Sequence, residues 1–335
     1  MMGKFMKIVD RMQEEGLDTL LILNPHNITY LAGFKPSSSS VLLIKDEPVL
    51  FTSKMDLEDA NLNSKIGVEE FKSLDEIKEL LQGKVGIESS MNLGTIERLR
   101  KDSSFDFKIT GIVEKMRQIK TNSELKNIIK ALRIAEKSLK QTEFNKKNEN
   151  EVAAEIEYNM RLNGSNRAAF DTIVASGIRS SLPHADPTFK AIEMPVIIDW
   201  GAKYNNYCSD TTRTIIETEK QEEIFDIVFE AQKSAVDVIK PWVKASYIDK
   251  VARNVIEEYG YGDSFIHSTG HGVGLEVHEA PSLSKRETIK LQKGMVITIE
   301  PGIYLKNEFG VRIENMIHIT NKGNVLNRTE TKISI

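Results

Sequence analysis

Apolar residues in the first third of the chain recur in short runs of strand length, at 20–23, 41–44, 49–52 and 85–87. They alternate with stretches of helical spacing at 5–15 and 74–81. Short continuous apolar runs suit buried strands and three- and four-residue spacing suits amphipathic helices, so this region reads as a small α/β domain. Residues 35–40, after Gly33, are rich in proline and serine and read as a solvated surface loop.

Near residue 120 the pattern changes. Thr121 and Glu124 stand at capping-box spacing ahead of Leu125, Ile128, Ile129, Leu132, Ala135 and Leu139, which share one helical face. Three further helices are predicted: 152–160 ending at Gly164, 224–239 stopped by Pro241, and 248–259 between a Ser246/Asp249 capping box and Gly260. Strands rich in β-branched residues are predicted at 196–201, 207–216, 295–299 and 311–319. Two domains follow, 1–120 and 121–335, the second α+β with hairpins as its sheet units. A length of 335 residues with 40% hydrophobic content supports that division.

Composition narrows the partners. The 45 basic and 49 acidic residues leave a net charge of -4, without the one-signed field that nucleic acid or anionic lipid calls for. No apolar run approaches the roughly 18 residues of a membrane span, and the N-terminus lacks a signal-peptide core. The single cysteine, Cys208, excludes an intramolecular disulfide and a cysteine-based zinc cluster, and reads as a small buried side chain. A cytoplasmic protein without nucleic-acid or membrane partners is expected.

Acidic residues inside apolar strands point to chemistry. Asp199 follows Val196, Ile197 and Ile198, although aspartate is poorly suited to strands. A turn centred on Tyr204 and Asn205 places Asp199 opposite Asp210, with side-chain carbons about 4.5–5.5 Å apart and like charges repelling. A hairpin centred on Asn307 pairs Glu300 with Glu314 in the same way, though Pro301 and Gly302 interrupt its ladder. Something positive has to lie between such pairs. Arg213 and Arg312 offer one solution, a structural ion-pair network. The sequence Gly270-His271-Gly272-Val273-Gly274, with His278 and Glu279 after it, offers another, because its glycines let backbone approach a bound species. Five of the six histidines, at 184, 267, 271, 278 and 318, lie in the same domain as these acids.

Four carboxylates with a histidine and no thiolate suit Mn²⁺ or a similar divalent ion, with Co²⁺ or Zn²⁺ as alternatives. They carry more charge than one such ion balances. Two ions about 3.5–4 Å apart, bridged by carboxylates and a hydroxide, balance it and generate a nucleophile, which points to hydrolysis.

Five segments stand in an order that resembles the pita-bread metallopeptidases, which include Xaa-Pro aminopeptidase, Xaa-Pro dipeptidase and methionine aminopeptidase. They are Ile198-Asp199-Trp200-Gly201-Ala202, Ser209-Asp210-Thr211-Thr212-Arg213-Thr214, residues 270–279, Glu300-Pro301-Gly302-Ile303-Tyr304 and Val311-Arg312-Ile313-Glu314-Asn315. Gly16-Leu17-Asp18 and residues 27–34 resemble the creatinase-type N-terminal domain, which favours the proline-directed branch. The resemblance implies that Asp199 chelates one ion, Asp210 and Glu314 bridge both, and His271 and Glu300 bind the second. It further implies that Glu300 shuttles a proton and that His184 and His278 contact substrate and stabilise an oxyanion. Arg312 would position ligands rather than react. The implied protein is a homodimeric, metal-dependent exopeptidase acting on the Xaa-Pro bond of dipeptides or short peptides.

Other readings stay open. A non-peptide C–N hydrolase of the same fold would keep all five ligand positions, whereas a non-catalytic binding module would not need them. Some prolidases carry an arginine shortly after the His-Glu pair, but Ser282 follows Ala280 and Pro281 here, with Lys285 and Arg286 as substitutes. Ala185 stands where glycine is common. Dipeptidase and aminopeptidase are both left open.

Overall fold

The computed structural model describes residues 2–333, and the chain divides between Arg117 and Gln118 into two compact units. Six strands build the sheet of the first: β1 (Thr19–Ile22), β2 (Ser40–Ile44), β3 (Pro48–Thr52), β4 (Gly67–Glu70), β5 (Lys84–Glu88) and β6 (Asp106–Thr110). Their order is β4-β3-β2-β1-β5-β6, with antiparallel pairing at β1–β2 and β2–β3 and parallel pairing elsewhere. Leu20 and Ile22 enter one buried cluster with Ile8 and Met12, while Leu21 enters another with Val85 and Leu99. Alternate side chains thus point to opposite covered faces, which is why the central strands are continuously apolar.

The outer strands β4 and β6 escape that pattern because each lies at an edge and carries charged residues. The 35–40 loop is not merely solvated. Ser37 and Ser38 donate backbone N–H bonds to Asp56 Oδ2 at 2.8 and 2.9 Å, so the exposed tip is anchored.

In the second unit the Thr121/Glu124 capping box forms and starts helix Asn122–Lys140. The other long helices are Glu149–Leu162, Glu219–Asp237 and Ala245–Glu258. The last begins at Ala245 without the expected Ser246/Asp249 box. Asp249 instead is buried, pairs with Arg253 at 2.9 Å and accepts a hydrogen bond from Thr269. Among the described residues no helix is long and apolar enough to cross a membrane.

Among the described residues of this unit thirteen strands follow: β7 (Arg167–Ala168), β8 (Ile173–Ser176), β9 (Val196–Trp200), β10 (Ala202–Tyr204), β11 (Tyr207–Cys208), β12 (Thr211–Ile215), β13 (Gly270–Gly272), β14 (Glu279–Leu283), β15 (Val296–Ile299), β16 (Gly302–Leu305), β17 (Phe309–Arg312), β18 (Asn315–Ile319) and β19 (Gly323–Val325). They form sheets β12-β9-β8, β11-β10-β7, β14-β13-β15-β18-β19 and β16-β17. Ile134, Ile156 and Met160 of the first helix pair pack on Val196 and Ile198. Ile224, Val228, Ile248 and Ala252 of the second pair pack on Ile297, Ile299 and Ile317. Each helix pair therefore backs one set of strands, the α+β arrangement expected.

The hairpin about Asn307 has the expected register, from Leu305 opposite Phe309 to Gly302 opposite Arg312. The β15–β18 ladder continues the same pairing, beginning with Ile299 opposite Asn315, so Glu300 and Glu314 fall in the gap between two ladders. The other hairpin is corrected. Its turn is Asn205-Asn206, with φ of 46° and 68°, a left-handed pair that asparagine tolerates better than tyrosine. Moving the turn by one residue shifts the pairing by two, so Asp199 faces Thr212 rather than Asp210.

Gly201 lies where this hairpin narrows. A Cβ there would collide with the Ser209 carbonyl and stand 2.8 Å from a Phe170 ring carbon. Gly201→Ala is expected to cost about 1–3 kcal/mol, read as a lower denaturant midpoint. An unchanged midpoint would show that the hairpin opens freely at this point.

Candidate metal centre

Each acid of interest sits at or beside a ladder end. Asp199 is near the end of β9, Asp210 lies between β11 and β12, Glu300 between β15 and β16, and Glu314 between β17 and β18. The two long strands predicted at 207–216 and 311–319 are each broken at the acid. His271 is central in β13, beside a register shift between His271 and Gly272. Asp210 and Glu314 are buried, while Asp199, His271 and Glu300 are partly buried.

Ligating atoms of Asp199, Asp210 and Glu314 lie within 4.8 Å of one another, as do those of His271, Glu300 and Glu314 and those of Asp210, His271 and His278. His271 Nε2 is 3.3 Å from Glu300 Oε1 and 3.5 Å from Asp210 Oδ2. Neighbours aim one oxygen of three acids. Arg312 donates to Asp199 Oδ2 at 2.7 Å, Thr212 to Glu314 Oε2 at 2.9 Å, and Thr298 to Glu300 Oε1 at 3.2 Å. His271 Nδ1 lies 3.1 Å from the Gly272 carbonyl, which suits an Nδ1–H donor and leaves the Nε2 lone pair for the cluster. Asp199 Oδ1, Asp210 Oδ1 and Glu314 Oε1 are buried without a hydrogen-bond partner.

The two arginines do not neutralise this charge. Arg213 directs its donors to the carbonyls of Thr212, Glu314, Thr329 and Glu330 and to the Asn315 side chain, and to no carboxylate. Arg312 binds Asp199 alone among the acids, and also the Thr212 hydroxyl, the Tyr304 hydroxyl and the Pro183 carbonyl. An arginine ion-pair network thus accounts for one carboxylate of four.

Titration follows from this imbalance. Burial, and then Glu314, pushes the Asp210 carboxyl far above its ordinary range; burial, and then Glu300, does the same to Glu314. Burial opposes charge on Glu300 and on His271 too, but their mutual hydrogen bond wins, pulling Glu300 to about 2 and pushing His271 up to about 9. Without cations, protons hold the cluster together. Orphaned buried carboxylate oxygens and retained protons together are the mark of a cation site.

His278 and His184 are exposed. The His278 ring stands edge-on to His271 with centroids 4.4 Å apart, and burial lowers the pKa of both His267 and His278. The sequence reading missed the roles of Thr212, Thr298, Tyr304 and His267. His267 Nε2 lies 2.9 Å from the Tyr304 hydroxyl, which accepts from Arg312 Nη1 at 2.9 Å and so extends the Asp199 support. Tyr304 is buried in β16, four residues after Glu300 and in the hairpin whose two ends lead to Glu300 and Glu314. The glycine reading is corrected as well: Cβ atoms at Gly270 and Gly272 would strike the Thr298 and Ala280 carbonyls, so these glycines admit neighbouring strands rather than a bound species.

The profile of metallopeptidase family M24 matches residues 126–321, more than half the chain. The chain belongs to metallopeptidase family M24. A creatinase/prolidase N-terminal domain profile matches residues 5–119 ahead of it. The Xaa-Pro dipeptidase of Pyrococcus horikoshii is 46% identical, with 98% of each chain covered. The solved prolidase of Pyrococcus furiosus is 44% identical with a TM-score of 0.91, covering 96% of this chain and 99% of that one. An X-Pro aminopeptidase structure from Thermotoga maritima is 35% identical with a TM-score of 0.90, covering 98% of each. Family M24 enzymes are metallopeptidases, and the donor set described above fits divalent ions.

A group whose folded pKa is raised favours folding while protonated, and that benefit is lost as pH rises through the folded value. For His271 the loss runs from its ordinary value to about 9, and the raised Asp210 and Glu314 act in the same direction from the carboxylate range upward. The melting temperature of metal-depleted protein should fall further below that of metal-loaded protein between about pH 6 and pH 9, and metal uptake should release protons in weak buffer. Metal binding without proton release would contradict this account.

Proposed function

We propose that the chain hydrolyses Xaa-Pro dipeptides with two divalent ions held by Asp199, Asp210, His271, Glu300 and Glu314. The observation that carries this is the set of three buried carboxylate oxygens without donors, all in one ligand group that shares Glu314 with a second. That sharing supports Glu314 as a bridging ligand, and Asp210, common to the first group and a third, as its companion. Bound there, divalent ions balance the carboxylate charge and lower the pKa of water in the site. Oxygen-rich donors favour Mn²⁺. The free, buried Cys208 fits a reducing compartment such as the cytoplasm.

The chain's own groups supply the rest. Glu300, oriented by Thr298 and His271, takes a proton from the attacking water as its oxygen bonds to the carbonyl carbon, and gives it to the proline nitrogen as the C–N bond breaks. His184 and His278 donate ring N–H bonds to the carbonyl before proline, where negative charge develops. Arg312, locked by Tyr304, Thr212 and Pro183, holds Asp199 in one rotamer. Dipeptidase is favoured over aminopeptidase because both Pyrococcus relatives, more similar than the Thermotoga aminopeptidase, are named for dipeptides.

The test restores metal-depleted protein with Mn²⁺, Co²⁺ or Zn²⁺ and assays Xaa-Pro dipeptides beside Xaa-Pro-Xaa peptides. Cleavage of dipeptides alone is expected, and cleavage of both would assign an aminopeptidase. Asp210→Ala should lose bound metal and more than about 100-fold in turnover, beyond what loss of a ligand's supporting partner costs. Full turnover in that variant would overturn the ligand assignment.

A further inference from the structure

His184 stands on a loop with little apolar anchorage. Between Gly177 and Pro187 only Gly177, Ser180 and Ala185 are buried, and Leu182, His184 and Asp186 are exposed. The order of the loop therefore rests on polar ties, and five of them converge on one side chain. Glu149, wholly buried, begins helix Glu149–Leu162. Its Oε1 accepts the Ser176 backbone N–H at 2.8 Å and the Ser176 hydroxyl at 2.9 Å, at the end of β8 where the loop departs. Its Oε2 accepts the Thr188 backbone N–H at 2.9 Å and the Thr188 hydroxyl at 2.7 Å, where the loop returns. Arg179, inside the loop, donates Nε to the same oxygen at 3.1 Å and Nη2 to the Asp186 carbonyl. Other ties run from the Gly177 N–H to the Glu193 and Pro195 carbonyls, from the Gly310 N–H to Ser180 Oγ at 2.9 Å, and from Arg312 to Pro183 O.

A carboxylate that accepts five hydrogen bonds at a helix N-terminus is strongly favoured in its charged form. Burial opposes the charge, but the bonds from Thr188 and Ser176 outweigh it and hold the carboxyl below its ordinary range. With its oxygens engaged and no exposure, Glu149 does not meet substrate.

We propose that Glu149 is a positioning residue that ties both ends of the 177–187 loop and thereby presents His184 to the substrate carbonyl. This rests on the reading of His184 given above. Glu149→Gln turns one acceptor oxygen into a donor that faces two donors on the Ser176 side or three on the Thr188 side, so the loop should loosen while the metal ligands, on other segments, stay in place. In metal-loaded enzyme, kcat on an Xaa-Pro dipeptide should fall about 10- to 100-fold with bound metal unchanged. His184→Ala should fall at least as far, and the double variant no further than His184→Ala, because both changes remove the same interaction.

Amide exchange gives a readout apart from turnover. Residues 177–188 should exchange faster in Glu149→Gln, and to a smaller extent in Thr188→Val, which removes one hydroxyl bond and is the milder change if Glu149→Gln folds poorly. Helix Asn122–Lys140 should be unaffected. Losses that multiply in the double variant, or wild-type protection of 177–188 in Thr188→Val and Glu149→Gln, would overturn the proposal. A His184→Ala enzyme with wild-type kcat would overturn the reading of His184 and the proposal with it, whatever the exchange shows; multiplied losses would overturn Glu149 alone.

Discussion

Four carboxylates converge inside a β core, and only one of them, Asp199, is met by a guanidinium. That excess of buried negative charge is the constraint around which the second unit is arranged. Like charges in a weakly polarisable interior repel far more strongly than in water, so the acids must hold protons, or cations must lie between them. A fold evolved for structure alone would pair or remove such groups, since replacing buried charge with apolar packing is often neutral or stabilising.

The arrangement of the strands follows from this. A regular ladder turns alternate side chains to opposite faces and would not gather residues from four elements at one point. Breaks at Ser209-Asp210, Glu300-Pro301 and Ile313-Glu314 release the acids from that alternation. The exposed backbone is then satisfied locally: the Asp210 N–H meets Met316 Sδ at 3.4 Å, and the Glu314 carbonyl accepts from Arg213 at 2.6 Å. Arg213 joins the Glu314 turn to Thr329 and Glu330, so the C-terminal segment braces a ligand although it touches none of the ligating atoms. Its charge is used to collect carbonyls, which is why counting arginines against acids in the sequence misjudges the balance.

How legible each feature was depends on how local its cause is. The Asn307 hairpin could be placed from sequence because both of its ladders keep one register through the interruption at Pro301. The other hairpin was misplaced by one residue because Tyr204, Asn205 and Asn206 offer two turn positions, and only the left-handed preference of asparagine separates them. The Thr121 capping box is a four-residue signal and formed as read, whereas Ser246 and Asp249 match the same pattern but Asp249 is claimed by Arg253 and Thr269. Edge strands β4 and β6 carry too little apolar pattern to announce themselves. The roles of Thr212, Tyr304, His267 and Glu149 come from hydrogen bonds across long sequence separations, which no spacing rule records.

The site therefore divides into a rigid part and an adjustable part with different physical bases. The five candidate ligands sit on strands or at the breaks between them, backed by helices through Ile224, Val228, Ile134 and Ile156, where packing density resists displacement. His184 projects from an exposed loop held mainly by polar contacts, so it can shift without disturbing the cation site. Arg312 joins the two parts, since one guanidinium holds both Asp199 and the Pro183 carbonyl beside His184. Because Arg312 is also held by the Thr212 and Tyr304 hydroxyls, it keeps its grip on Asp199 when Pro183 moves. Substrate preference can vary among chains of this family through such loops while the ligand set stays fixed, because the interactions that hold the ligands are largely not those that hold the histidines.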